Sequence, residues 1–340
     1  MGVNYLLIFA IATTSYFQTA CLGQISLTSA PSLNWQSIAS SSDGTMLAAT
    51  VYNGGTGGIY TSNNSGGSWM QTSAPYNSWV SIASSSDGTK LAAAAFNGGI
   101  YTSSSSGGSW MLTSAPSLYW ISIASSSDGT KLAAVTYDGG IYTSSNSGGS
   151  WMLTSAPLNN AWQYIASSSD GTKLAATVGG NGGVGGIYTS NNSGGSWMLT
   201  SAPYNNSWVS IASSSDGTKL AAGAFNGSIY TSNDSGGSWM LTSAPYNENW
   251  QSIASSSDGT KLAAVVDGGG IYTSSNSGGS WIMLTSAPSS LNWYSIASSS
   301  DGTKLAAVVD GGAFSSSPTS FASFTAFPTP LSTVSTSTPS

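Results

Sequence analysis

Residues 73–113 read SAPYNSWVSIASSSDGTKLAAAAFNGGIYTSSSSGGSWMLT, and this stretch decides the fold because the chain repeats it. Ser-Ala-Pro recurs at Ser29, Ser73, Ser114, Ser155, Ser201, Ser243 and Ser286, a period of about 43 residues. Each copy is followed by a tryptophan: Trp35, Trp79, Trp120, Trp162, Trp208, Trp250 and Trp293. Then comes Ser-Ile-Ala-Ser-Ser-Ser-Asp-Gly-Thr, or a close variant, with its Asp at 43, 87, 128, 170, 216, 258 and 301. The remaining tryptophans, at 69, 110, 151, 197, 239 and 281, all end the phrase Ser-Gly-Gly-Ser-Trp, so all 13 Trp fall into two series. Length alone suggests two or three domains for 340 residues, but a repeat array can close into one unit.

Each repeat divides into four short strand-like runs separated by turn signals. In the second they cover residues 79–84, 90–95, 99–103 and 109–114. Asp87-Gly88 joins the first two, a dipeptide whose residues both tolerate positive φ. Ser-Ser-Gly-Gly joins the last two. Four strands per unit at this period predict an all-β fold, a single seven-bladed β-propeller over residues 24–315, whereas a solenoid needs fewer strands per repeat. The seventh repeat has runs at Trp293, at Lys304 and at 312–315 but no fourth. Residues 24–31 match the fourth strand of the other units. The N-terminal strand is therefore expected to complete the last blade.

The flanks read differently. Residues 1–23 carry an apolar run over 5–17, too short to span a bilayer, and Cys21-Leu22-Gly23 offers a cleavage site. They are expected to be a signal peptide that takes the single cysteine with it, leaving a secreted, extracellular protein without disulfides. A lipid anchor at Cys21 is the alternative reading. Residues 316–340 are rich in Ser, Thr and Pro and read as a disordered or O-glycosylated tail.

The phrase Ser62-Asn63-Asn64-Ser65-Gly66-Gly67-Ser68-Trp69 resembles the Asp-box, or BNR, repeat, Ser-x-Asp-x-Gly-x-x-Trp. Further copies begin at Ser103, Ser144, Ser190, Ser232 and Ser274; the third position is Asn in four copies, Ser105 in one and Asp only at Asp234. The resemblance covers about residues 24–315. It implies a structural turn between third and fourth strands, far from the ligand face. Proteins of this type include sialidases, xyloglucan-degrading hydrolases, photosystem assembly factors and sorting receptors, so the resemblance assigns no activity.

Composition narrows the chemistry. The six basic residues are all lysines, Lys90, Lys131, Lys173, Lys219, Lys261 and Lys304, and the chain has neither Arg nor His. The arginine triad of related sialidases is thereby excluded, since guanidinium groups hold the substrate carboxylate bidentately. Serine- and cysteine-nucleophile schemes lose their usual general base, and zinc sites their commonest ligand. A net charge of −6 gives no footprint for nucleic acid or anionic membranes. No cofactor or metal is expected.

A glycosidase needs only two carboxylates. Of the twelve acids, seven are the repeated turn aspartates and Asp234 lies in an Asp-box turn, leaving Asp138, Glu248, Asp267 and Asp310. In a propeller the loops joining strands two to three and four to one share the face that usually binds ligand, and here those loops vary between repeats. They carry Tyr52-Asn53, Tyr76, Phe96-Asn97, Tyr137-Asp138, Tyr204, Phe225-Asn226, Tyr246, Glu248, Asp267 and Asp310. Aromatic rings stack on sugars and amides hydrogen-bond their hydroxyls, so these residues are the ligand-binding candidates. Glu248 with Asp267 or Asp310 is the candidate catalytic pair, and the same acids also read as a cation site, though turn-forming Asp beside Gly is the simpler reading of them. Both tryptophan series are expected in the core. Sequons at Asn63, Asn191, Asn205, Asn226 and Asn233 fall in turns or variable loops. The leading expectation is a monomeric, non-enzymatic binding or adhesion module for a carbohydrate or wall polymer, with a polysaccharide hydrolase or a display scaffold as alternatives.

Overall fold

The computed structural model describes residues 24–316 apart from 159, 180–184 and 205. The expected signal peptide and nearly all of the expected tail lie outside the described residues. Within them the chain is all-β: 28 strands and no helix, hence none long and apolar enough to cross a membrane.

The second repeat forms Trp79–Ser84, Leu91–Ala95, Ile100–Ser103 and Met111–Leu112, paired antiparallel in chain order. The first three strands follow the sequence reading closely. The fourth is only two residues long, because Ser109 and Trp110 belong to the preceding turn. That turn is built by side chains. In the first repeat the Gly66 amide donates to Ser62 Oγ at 2.9 Å and the Ser68 amide to Asn64 Oδ1 at 2.8 Å. Ser65 holds φ at 56° and Gly66 at 88°, so the turn spends its glycine where a side chain would strain the backbone.

Ile25–Leu27 pairs antiparallel with Gly312–Ser316, with Leu27 opposite Phe314. The expected union of N-terminal strand and last repeat is present, and the closing strand runs one residue past the expected boundary at 315. Phe314 stands where the other repeats carry Tyr: its ring meets Trp293 at 5.1 Å, as Tyr60 meets Trp35 at 5.2 Å.

The core lies between repeats. Leu91, Ala93 and Ala95 point to the junction holding their own repeat's Trp79, while Ala92 and Ala94 point to the junction holding the next repeat's Trp120. Period-two alternation along one strand thus serves two interfaces. The small residues on the second face leave room for an indole. All seven tryptophans of the first series are essentially inaccessible to solvent. Trp35 sits against Ala306, Val308 and Ala313 of the last repeat.

Two series of hydrogen bonds stitch the inner strands. Backbone amides of Ser42, Ser86, Ser127, Ser169, Ser215 and Ser257 each donate to the carbonyl of the next residue named, Ser257 to Ser300, and Ser300 donates back to Ser42 at 2.7 Å. Serine hydroxyls accept from the following repeat's Ile amide, as Ser37 does from Ile82 at 3.3 Å and Ser295 from Ile38 at 3.3 Å. The fourth repeat departs from this pattern, with Tyr164 in the serine's place. Its ring packs at the junction holding Trp208, and its phenol comes near Ser252 and Ser295 of repeats six and seven.

Two substitutions test this packing. Ala92→Leu should destabilise by about 1–3 kcal/mol by overpacking against Trp120, while Met111→Leu on the exposed rim should stay within about 0.5 kcal/mol of the parent. Denaturant midpoints at constant m-value measure both.

Candidate ligand-binding face

Strand direction sorts the loops onto two ends. Each first strand starts with its tryptophan at the variable-loop end and finishes at the Ser-Asp-Gly-Thr turn of the other. The Asp-box turns join that second end, where Ser65 Oγ donates to Gly44 O at 2.9 Å.

The repeated-turn end is electrostatically self-contained. Asp43 accepts from Ser41 Oγ at 2.6 Å, from the Thr45 amide at 2.9 Å and from Thr45 Oγ1 at 2.8 Å, and all seven turn aspartates repeat this arrangement. The hydroxyl bond and the amide bond stabilise the ionised form and lower each pKa to about 2. Every lysine lies beside the next repeat's turn. Lys90 Nζ donates to Asp128 O at 2.8 Å and Lys261 Nζ to Asp301 O at 2.7 Å, and Lys304 lowers Asp43 of the first repeat. Met46 takes the lysine's place against Gly88, and the causes lowering Asp87 include no lysine. The expected structural role of these aspartates is what their bonds describe.

At the variable end, loops of neighbouring repeats pair across five junctions. Gly57 bridges Asn77, Gly98 bridges Leu118 and Asn34 bridges Asp310. Phe225 lies opposite Asn249, Gly227 opposite Glu248 and Asp267 opposite Asn292. These contacts join the loops into one continuous surface. On it Tyr76 and Tyr246 are about two-thirds exposed (67% and 68%), and Tyr52, Phe96, Tyr204 and Phe225 are exposed as well. Tyr137 is half-buried and Asn53 and Asp138 are exposed. Asn97 and Asn226 hold φ of 52° and 50°, a conformation asparagine tolerates, so turn geometry accounts for their identity.

The acids are not gathered at one point. Glu248 lies near Tyr272, whose phenol it raises after burial has done so first. Asp310 and Asp267 flank Tyr294 and raise its phenol beyond the effect of burial. Asp267 pairs with Asn292 on one side, while Trp293 pairs with Val309, next to Asp310, on the other. The two acids therefore sit on strands either side of one central strand, roughly 10 Å apart at the backbone. Among the described residues no group of three or more His, Cys, Asp or Glu is placed to hold a metal ion.

Two aromatic residues join the face beyond those singled out from sequence. Tyr119 packs its ring on Phe96 at 5.1 Å across a junction. Its place in a variable loop was a usable signal. Tyr294 follows a core tryptophan inside a strand and carried none. Cavities at the other end include a groove of about 460 Å³ between repeats three and four, lined by Lys131, Met152 and Ser193, smaller equivalents of about 140 and 120 Å³ at the junctions on either side, and a funnel of about 160 Å³ lined by the serines of the inner turns.

No family model matches the chain, and no curated protein does. Solved structures do. YCF48 bound to D1 peptide aligns with a TM-score of 0.67 at 13% identity, covering 86% of this chain and 96% of that one. YCF48 from Cyanidioschyzon merolae gives 0.67 at 13%, covering 86% and 98%. The Cps50 (Swd1) β-propeller domain of Myceliophteria thermophila gives 0.66 at 13%, covering 87% and 100%. The fold is a β-propeller.

The turn aspartates set an acid limit. Their folded pKa lies below the unfolded value of about 3.9, so their contribution is complete above that pH and is lost as pH falls through about 2. Urea midpoints should be flat above about pH 5 and fall between about pH 4 and 2. A Thr130→Val variant, in which Asp128 loses one of those bonds, should start from a lower midpoint at neutral pH and lose less of it on acidification.

Proposed function

We propose that the chain is one closed seven-bladed propeller of Asp-box type, exported through residues 1–23, that binds a carbohydrate or wall polymer without catalysis. Support for seven blades and closure comes from the serine amide series that returns from Ser300 to Ser42 and from the bridge between Asp310 and Asn34. Support for the Asp-box assignment comes from the Ser62–Asn64–Gly66 bonds and their copies in other repeats.

The observation that carries the binding reading is the set of exposed aromatic rings on the variable face, led by Tyr76 and Tyr246. A large ring left in water gains its burial energy only when something covers it. The rings are spread over several blades, which suits a polymer engaged at several weak sites. The first structural neighbour holds a peptide, so a short peptide is the competing ligand class for this surface. A hydrolase reading has one observation in its favour, the placing of Asp267 and Asp310 around Tyr294.

A glycan array probed with the full chain should give binding that Tyr76→Ala and Tyr246→Ala each weaken about five- to tenfold, or about 1–1.4 kcal/mol. Binding should survive Asp267→Asn. Release of reducing sugar that Asp267→Asn or Asp310→Asn abolishes would replace the binding reading by the hydrolase.

A further inference from the structure

The two ends of the propeller differ in charge as sharply as in sequence variability. All six lysines lie beside the repeated turns, together with eight aspartates whose carboxylates are bound up in turn hydrogen bonds. The variable end carries Asp138, Glu248, Asp267 and Asp310 and, the chain having no Arg or His, no cationic side chain at all. A strand pair about 17–20 Å long separates these acids from any lysine, beyond the Debye length at physiological salt. The charged side chains of the aromatic face are therefore all anionic, and they concentrate where Glu248, Asp267 and Asp310 stand.

Three of those acids occupy successive junctions. Glu248 pairs opposite Gly227, Asp267 opposite Asn292, and Asp310 bridges Asn34. Aromatic rings alternate with them. Tyr246 precedes Glu248 by two residues, Tyr294 lies two residues along its strand from Asn292, which pairs with Asp267, and feels the charge of both Asp310 and Asp267, and the Tyr52 amide donates to Asn34, the residue that Asp310 bridges. A protonated amine is attracted both by a carboxylate and by the face of an aromatic ring. A neutral sugar uses only the ring, and an anionic one is repelled.

We infer that the polymer bound on this face is a cationic one, an amino-sugar chain with free amines, held along the arc from Tyr246 through Tyr294 to Tyr52. The inference rests on the glycan-binding reading above and names its ligand class. Basic peptides share the charge but lack a succession of flat pyranose faces to lie on separate rings.

The test is direct binding of the full chain to four probes: fully deacetylated glucosamine oligomers, their N-acetylated counterparts, a neutral β-glucan and poly-lysine. It is run at low and high salt at a pH that protonates the amines. The deacetylated oligomer should bind at least about tenfold more tightly than the N-acetylated one at low salt, the preference shrinking as salt rises. Glu248→Gln, Asp267→Asn and Asp310→Asn should each reduce that preference, and the triple variant should abolish it while leaving the melting temperature unchanged. Tyr246→Ala should weaken both oligomers alike. Lys131→Gln with Lys173→Gln, at the opposite end, should change neither. Equal affinity for both oligomers would overturn the cationic assignment and leave the glycan reading standing. Poly-lysine bound as tightly as the amino sugar would overturn the choice of polymer. Binding to none of the glycans would overturn the glycan reading itself.

Discussion

Everything in this molecule depends on fitting a tryptophan into the gap between two repeats. A four-stranded sheet of this size has no interior of its own, and its hydrophobic faces are stable only against a neighbour. The repeat solves the fit with volume. One face of each second strand opens with an alanine (Ala48, Ala92, Ala133, Ala175, Ala221, Ala263, Ala306) and continues with a residue no larger than valine, and the indole of the next repeat fills the space left. The Tyr of the third strand then meets that indole edge to face at about 5 Å, from Trp35–Tyr60 to Trp250–Tyr272. Phe314 serves the last repeat in the same way because the geometry asks for a ring and not for a hydroxyl.

Polar groups at the junctions follow from the same constraint. The inner strands expose an unpaired edge that buried backbone cannot leave unsatisfied. Hydroxyls small enough to fit beside an indole are the available acceptors, which explains why Ser37, Ser81 and Ser122 stand where they do. It also explains a composition that would otherwise suggest disorder. Ser, Gly and Ala are what the spaces between tryptophans admit.

The architecture was legible in the sequence because it is written many times. Strand limits, the turn chemistry of Asp43 and its equivalents, and the pairing of residues 24–31 with the last repeat could all be read from phase alone. The fourth strand was read too long because an Asp-box turn is made of the same Ser and Gly as its flanks. Site residues were less legible for a physical reason. A residue that occurs once has no register of its own, so Tyr294, one position past a core tryptophan, looked like strand filling until its neighbours Asp267 and Asp310 were placed in space. At Asn97 and Asn226 the backbone's positive φ gives asparagine a second reason to stand there, independent of what the loop binds.

Tyr164 shows how a single departure from the repeat can direct the use of the whole. Six repeats offer a serine at this position, and a ring of serines would leave the axis open. The one tyrosine brings its phenol near Ser252 and Ser295 of repeats six and seven. A ligand coming to the variable face would meet that phenol near the centre. The surface available to it is the set of inter-repeat loops, where the aromatic rings and carboxylates stand. A long polymer laid over such a rim touches several junctions at once, whereas a small ligand seeking one deep axial pocket finds a phenol in its path.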